Sequence, residues 1–326
     1  MSAQAPGAWA RWVGLLSARE APHSLAAFRV GVGLCLWHAF GSPLITGTWS
    51  LIWVDVDHGG YRPLGGGWLV SALGGPTPAV IGGLLGLGLL LGLNLVVGFA
   101  SRLSAFAALQ VFLAITNLNG HTGGSYDALI PNLLWLLTLA DSGAGASVDA
   151  WLRARWASPP TTPVRVSAWP RYLVIGQLLT MYCSSGLQKV GASWIPGGDL
   201  SALYYILQQP TWQRFDMRWA GHIFPLTQLA TLATWLFEVG APALILVLWW
   251  RRTRARPGRL RALANRLRLR DAFVLFGLGL HIGIMSLMEV GPFSTASMAC
   301  YACLLHPEEW AALLRRLRPS RGPIPA

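Results

Sequence analysis

Apolar residues run along this chain in long blocks, broken at intervals by short stretches of arginine, glycine, proline and aromatic residues. A helix needs about 20 mostly apolar residues to cross the hydrocarbon of a bilayer. Segments near 25–47, 77–99, 103–119, 127–144, 170–189, 223–250, 271–289 and 292–307 approach that length. The third, fourth and eighth are short or carry polar residues, which leaves seven spans as the alternative count. The pattern predicts an all-α, polytopic membrane helix bundle of about eight transmembrane helices.

The basic residues between these blocks orient the bundle, because cytoplasmic loops carry the excess of arginine and lysine. With eight spans, Arg11, Arg19, Arg102, Arg153, Arg155, Arg165, Arg171, the nine arginines from Arg251 to Arg270, and Arg315, Arg316, Arg318 and Arg321 fall on one side. Only Arg62, Arg214 and Arg218 fall on the other. Both termini are therefore expected in the cytoplasm. The chain divides into an amphipathic N-terminal segment (1–24), a transmembrane domain (25–311) and a basic tail (312–326). The N-terminal stretch has too short an apolar core for a secretory signal, and the first span is expected to serve as its own insertion signal.

Composition narrows the class further. Apolar residues make up 53% of the chain, charged residues 12%, and the mean hydropathy is +0.47, values that exclude a soluble globular enzyme. A net charge of +12 in a soluble domain would suggest nucleic acid. Here the bilayer is the partner instead, and the expected location is a cell membrane, as in a multi-pass protein of a bacterial inner membrane. The run 251–270 is expected to lie on anionic lipid. The cysteines Cys35, Cys183, Cys300 and Cys303 sit in or beside apolar blocks and form neither a disulfide framework nor a zinc pattern. His58 and His222 lack a third ligand at suitable spacing, so no metal is expected. The long loops 48–76 and 190–222, both assigned to the outside, are rich in Trp, Tyr, Gly and His, as suits an outward-facing pocket in the headgroup layer.

Lys189 is the only lysine in the chain. Lysine can lose its proton when desolvated, whereas guanidinium cannot, so a lone lysine among arginines marks a site that needs an amine. Counting from Pro170 at about 1.5 Å per residue puts Lys189 some 28 Å up, at the outer edge of the hydrocarbon, where a snorkelling anchor is the competing reading. Glu238 and His281 lie at depths of about 18 and 15 Å by the same rule, so the two are expected to pair within the membrane, as a structural bridge or a proton relay. Arg29 and Asp141 are expected to pair near the cytoplasmic side.

The string SGLQKVGASWIPG with the following LYY resembles the corresponding stretch of the vitamin K-dependent γ-glutamyl carboxylases and their bacterial relatives, the HTTM (horizontally transferred transmembrane) family. SLAAFRVGVGLCLW, GFASRLSAF, NGHTGGSYDALIPNLLWLLTLADSGAGASVDAW, WLFEVGAPALIL and HIGIMSLMEVGPF agree in order, so the resemblance spans residues 24–311. It implies that Lys189 is the base that deprotonates a reduced naphthoquinone or other quinol. It implies roles for Asn119 and His121 as the asparagine–histidine pair before the fourth span, with Tyr126 nearer the histidine position in an ungapped comparison. Trp194, Tyr204 and Tyr205 are expected to line the cofactor pocket. The large extracytoplasmic domain of the animal carboxylases has no counterpart here.

Three function classes follow. The first is a quinol-dependent, carboxylase-like or oxidoreductase-like enzyme acting at the outer face, with a quinol-like or lipidic small molecule and a protein or peptide as candidate substrates. The second is a non-enzymatic membrane factor for maturation, export or assembly of a partner. A transporter is third, although the chain shows no inverted repeat.

Overall fold

The computed structural model describes residues 7–156 and 162–317. Arg318 and Arg321 of the basic tail lie outside the described residues. The helices, in chain order, are α1 (Ala8–Leu16), α2 (His23–Thr46), α3 (Thr48–Trp53), α4 (Trp68–Ala72), α5 (Pro78–Val97), α6 (Ser101–Thr116), α7 (Tyr126–Leu139), α8 (Val148–Trp156), α9 (Trp169–Gln188), α10 (Ala202–Gln208), α11 (Phe224–Gly240), α12 (Ala243–Arg252), α13 (Arg259–Arg266), α14 (Leu269–Leu287), α15 (Phe293–Tyr301) and α16 (Pro307–Leu317). Each of the eight apolar segments holds a helix or a helix pair. By length and composition α2, α5 and α14 can each cross a membrane, and α11 with α12 make a fourth span if taken together, bent by 63°. α6, α7 and α15 are shorter apolar helices.

Two compact units emerge among the described residues, one of residues 7–156, 162–174 and 305–317, the other of residues 175–304. In the first, α2 packs along α5, and α6 bridges α5 and α7. Gly33 and Gly92 make the α2–α5 crossing close: a Cβ on Gly33 would meet the Gly92 carbonyl oxygen at 2.6 Å. Small residues at a helix crossing let backbones approach where lipid supplies no hydrophobic drive. α5 is bounded by local chemistry, with the Thr77 hydroxyl accepting from Val80 N, Pro78 in its first turn and Gly98 in the left-handed region after its end. Besides two isolated bridges, Asp55 with Arg62 and Gln213 with Met288, a two-residue antiparallel pair departs from all-α among the described residues, Arg19–Glu20 (β1) with Val166–Ser167 (β2). It is tied down by Arg171, whose guanidinium forks onto both carboxylate oxygens of Glu20 at 2.7 and 2.8 Å.

Arg29 corrects one expectation. It is fully buried and donates to three carbonyls, Leu95, Ser142 and Ala146, each at 2.8 Å, while Asp141 pairs with Arg102 at 2.7 Å. Leu95 belongs to the last turn of α5, whose carbonyls have no intrahelical partner and carry the negative end of the helix dipole. A buried guanidinium with five donors is better satisfied by several such carbonyls than by one exposed carboxylate.

In the second unit an aromatic layer joins α9, α11, α14 and α15. Phe237 and Phe273 stack with ring centroids 4.4 Å apart, and Tyr182 meets Phe237 edge-on at 5.0 Å. The bend between α11 and α12 falls at Gly240–Pro242, where proline cannot continue the hydrogen-bond ladder.

Candidate functional site

The last turns of α9 and α11 meet in the second unit. Tyr182, Ser185 and Lys189 occupy one face of α9, at i, i+3 and i+7, and Gly186 beside them lets α11 come close. Lys189 Nζ forms an ion pair with Glu238 Oε2 and donates to Ser185 Oγ at 3.2 Å; the Ser185 hydroxyl also donates to Glu238 Oε1 at 3.4 Å. Above the ammonium lies the Trp194 ring, 4.6 Å to its centroid, within cation–π range. The side chains of Lys189 and Glu238 retain only 18% and 9% of their exposure, so the amine does not snorkel into open water.

This arrangement overturns the expected Glu238–His281 pair. Glu238 takes Lys189 and Ser185 as its partners, and His281 Nε2 meets the Tyr182 hydroxyl at 2.6 Å. Depths counted along each span from its cytoplasmic end separated Lys189 from Glu238 by about 10 Å, yet the two side chains meet.

The remaining expected site residues group apart. Tyr204 packs on Tyr205 at 5.6 Å and on Phe224 at 5.3 Å, and no hydrogen bond or ring contact joins either tyrosine to Lys189. Asn119, His121 and Tyr126 belong to the first unit and build a turn. Asn119 is buried, donates through Nδ2 to the Ile52 carbonyl at 2.9 Å and accepts from His121 N at 3.2 Å; Tyr126 donates to the Thr122 carbonyl at 3.1 Å. His121 itself is exposed. The hydrogen bonds made by the Asn119 and Tyr126 side chains thus go to backbone atoms.

A cavity of about 570 Å³ runs along the opposite face of α9, lined by Leu179, Thr180, Cys183, Leu187, Pro242 and Ile245 among others. Lys189 does not line it. Residues 180, 183 and 187 recur at helical spacing on the side of α9 turned away from Lys189. No group of three or more His, Cys, Asp or Glu among the described residues is placed to hold a metal ion.

Tyr182 and Tyr301 were not singled out from sequence, yet they complete a buried polar cluster: the two hydroxyls lie 2.7 Å apart. The signal available was Tyr182 one heptad before Lys189.

Comparison with protein families gives one match, to the HTTM domain, over residues 18–256. The match includes α9, Lys189 and Glu238 and stops before α13. No curated protein matches the chain, and no solved structure does.

Proposed function

The chain belongs to the HTTM domain family, and from that premise we propose that it is a multi-pass cell-membrane protein, both termini cytoplasmic, whose Lys189–Glu238 pair is an acid–base centre for a quinol-like apolar molecule. The observation that carries this reading is the pairing itself, the only lysine in the chain set against a buried carboxylate under an aromatic ring.

The donor set fits such a molecule. Trp194 offers a flat apolar face beside the amine. A reduced naphthoquinone or other quinol would supply a phenolic O–H as the acid. In the reaction Glu238 takes one proton from the Lys189 ammonium it is paired with, leaving a neutral amine beside a neutral carboxylic acid. The amine then has a lone pair for the incoming proton, and Ser185 holds both groups in place through its hydroxyl. Arginine could not take this part.

A second reading, a non-enzymatic factor for maturation, export or assembly of a partner, draws on Tyr61, Trp68 and Phe215 in the long loops, which are 84%, 75% and 58% exposed. Aromatic residues of this kind are enriched where partner proteins dock. Purification of the full chain in mild detergent, with solvent extraction and mass spectrometry, separates the two. A naphthoquinone bound near one per chain, and oxidation of added naphthoquinol that Lys189→Arg abolishes, supports the first. A chain that neither carries nor turns over any quinone, and that co-purifies with a defined protein, overturns it in favour of the second.

A further inference from the structure

Beneath Lys189, two turns back along α9, the Tyr182 hydroxyl is shared between His281 Nε2 at 2.6 Å and the Tyr301 hydroxyl at 2.7 Å. A phenol has one proton to give, so one partner accepts from Tyr182 and the other donates to it. Either Tyr301 donates to Tyr182 and Tyr182 to His281, or His281 donates to Tyr182 and Tyr182 to Tyr301. The two polarities interconvert by moving protons along existing hydrogen bonds. Room for this has been left in the backbone, since a Cβ on Gly277 would stand 1.8 Å from the Tyr301 hydroxyl oxygen.

The cluster is incomplete as it stands. His281 is 1% exposed and its Nδ1 has no partner; Ser294 and Ser297 are fully buried and their hydroxyls have none either. The His281 ring lies 5.7 Å from the Phe293 ring and 6.2 Å from the Tyr301 ring. Those two residues flank Ser297 by four positions on either side, so the Ser297 hydroxyl belongs to the row of α15 that faces His281. Buried polar groups left without partners are where internal waters bind.

We propose that His281, Tyr182, Tyr301 and Ser297 form a second acid–base site in this unit, holding one water between His281 Nδ1 and Ser297 Oγ and taking up the proton that the Lys189–Glu238 pair releases. The proposal rests on the reading of that pair as an acid–base centre. A proton arriving at the Tyr182 oxygen displaces Tyr182's own proton onto His281 Nε2, and His281 either keeps it as imidazolium or passes its Nδ1 proton to the water. Only O–H and N–H bonds break and form, and no electrons are transferred. The groups facing His281 are Tyr182 from α9, and Tyr301 and the ring of Phe293 from α15. Phe237, next to Glu238 in the chain, packs directly on the Tyr182 ring.

The test uses the full chain in lipid nanodiscs with nitrogen-labelled histidine rings, the His281 signal being assigned by its loss in His281→Gln or, if that variant does not fold, by its displacement in Tyr182→Phe. Glu238→Gln is expected to displace the His281 ring-nitrogen signals and the pH at which they change, and Ser297→Ala is expected to move the Nδ1 signal. His281 signals identical in wild type and Glu238→Gln over the histidine range, about pH 5 to 8, would show a static hydrogen-bonded knot and overturn the proposal. An Nδ1 signal indifferent to Ser297→Ala removes the water. Naphthoquinol oxidation is measured on the same samples. Coupling without oxidation sinks the Lys189 reading and the origin of the proton, leaving the Glu238–His281 coupling standing; oxidation without coupling sinks only the second site.

Discussion

Gly186 lies against the backbone of Glu238 and Val239: a Cβ built on it would come within 2.8 Å of Val239 N and 2.9 Å of Glu238 Cβ. The neighbouring atoms are backbone or bound to it, so α9 and α11 would have to separate to admit a side chain. One turn on, that same closeness is what lets Lys189 reach Glu238. Gly186→Ala should therefore destabilise the protein by about 1–3 kcal/mol, the usual cost of overpacking. Gly176, on the same helix, has nothing within 4 Å of its Cβ position, and Gly176→Ala should be neutral or slightly stabilising. Thermal unfolding of both variants in one detergent checks the contrast, and equal melting temperatures would mean that the crossing is looser than described.

The ion pair makes a second prediction. Lys189→Met leaves the Glu238 carboxylate buried without a counter-charge, and breaking a fully buried pair costs about 3–5 kcal/mol. Lys189 keeps 18% side-chain exposure, which places the expected loss toward the lower figure. Combining Lys189→Met with Glu238→Leu should recover most of it, because two apolar groups replace two charges. Denaturant unfolding of the four proteins in the cycle gives the coupling, and additive single losses would show that the two charges do not interact.

The helices themselves were legible in the sequence because each apolar block runs long enough to specify one, and Gly98 after α5 marks its end by its φ of +73°. Lys189 was legible as the sole lysine. Its partner was not, because depth counted from the start of each span set Glu238 level with His281, and no sequence pattern marks which helix faces turn toward one another. Arg29 misled for a different reason. A charge in an apolar block invites a search for an opposite charge, yet the end of α5 and the turns at Ser142 and Ala146 present carbonyls that no sequence pattern marks as vacant. Tyr182 and Tyr301 read as ordinary apolar filler until the fold set their hydroxyls together.

Asp149 carries the pH dependence that can be read outside the spans. Burial pushes its carboxyl up, but hydrogen bonds from Ser101 N, Ser101 Oγ and Ala100 N, with the Arg153 charge, outweigh it and hold the group below the ordinary carboxylate range. A carboxyl lowered in the folded state binds its proton less readily there than in the unfolded chain. Its stabilisation is accordingly full above the unfolded value of about 4 and drains away as the pH falls from there through the lower folded value. Asp149→Asn should be less stable than wild type at neutral pH, and the gap should close on acidification. A gap that is constant with pH would assign the loss to packing and not to charge.

Membrane orientation is the last expectation open to direct measurement. α13 is amphipathic: Leu260, Leu263 and Leu267 are exposed at i, i+3 and i+7, and buried Ala264 faces the protein. Arg261 sits 5.0 Å over the Trp249 ring and Asn265 donates to the Trp250 carbonyl at 3.3 Å, which pins the helix beside the end of α12. An exposed leucine stripe bordered by arginines suits the anionic cytoplasmic leaflet, where each basic residue near the surface adds about 1 kcal/mol of attraction. Arg256, exposed in the turn before α13, then faces the cytoplasm, and Gln209, exposed after α10, faces outward. In a background with the native cysteines replaced, Arg256→Cys should resist a membrane-impermeant thiol reagent in intact cells and react once the cells are opened, while Gln209→Cys should react in both. Labelling of position 256 in intact cells would invert the topology and put the Lys189–Glu238 pair at the opposite end of its span from the outer face where the substrate is expected.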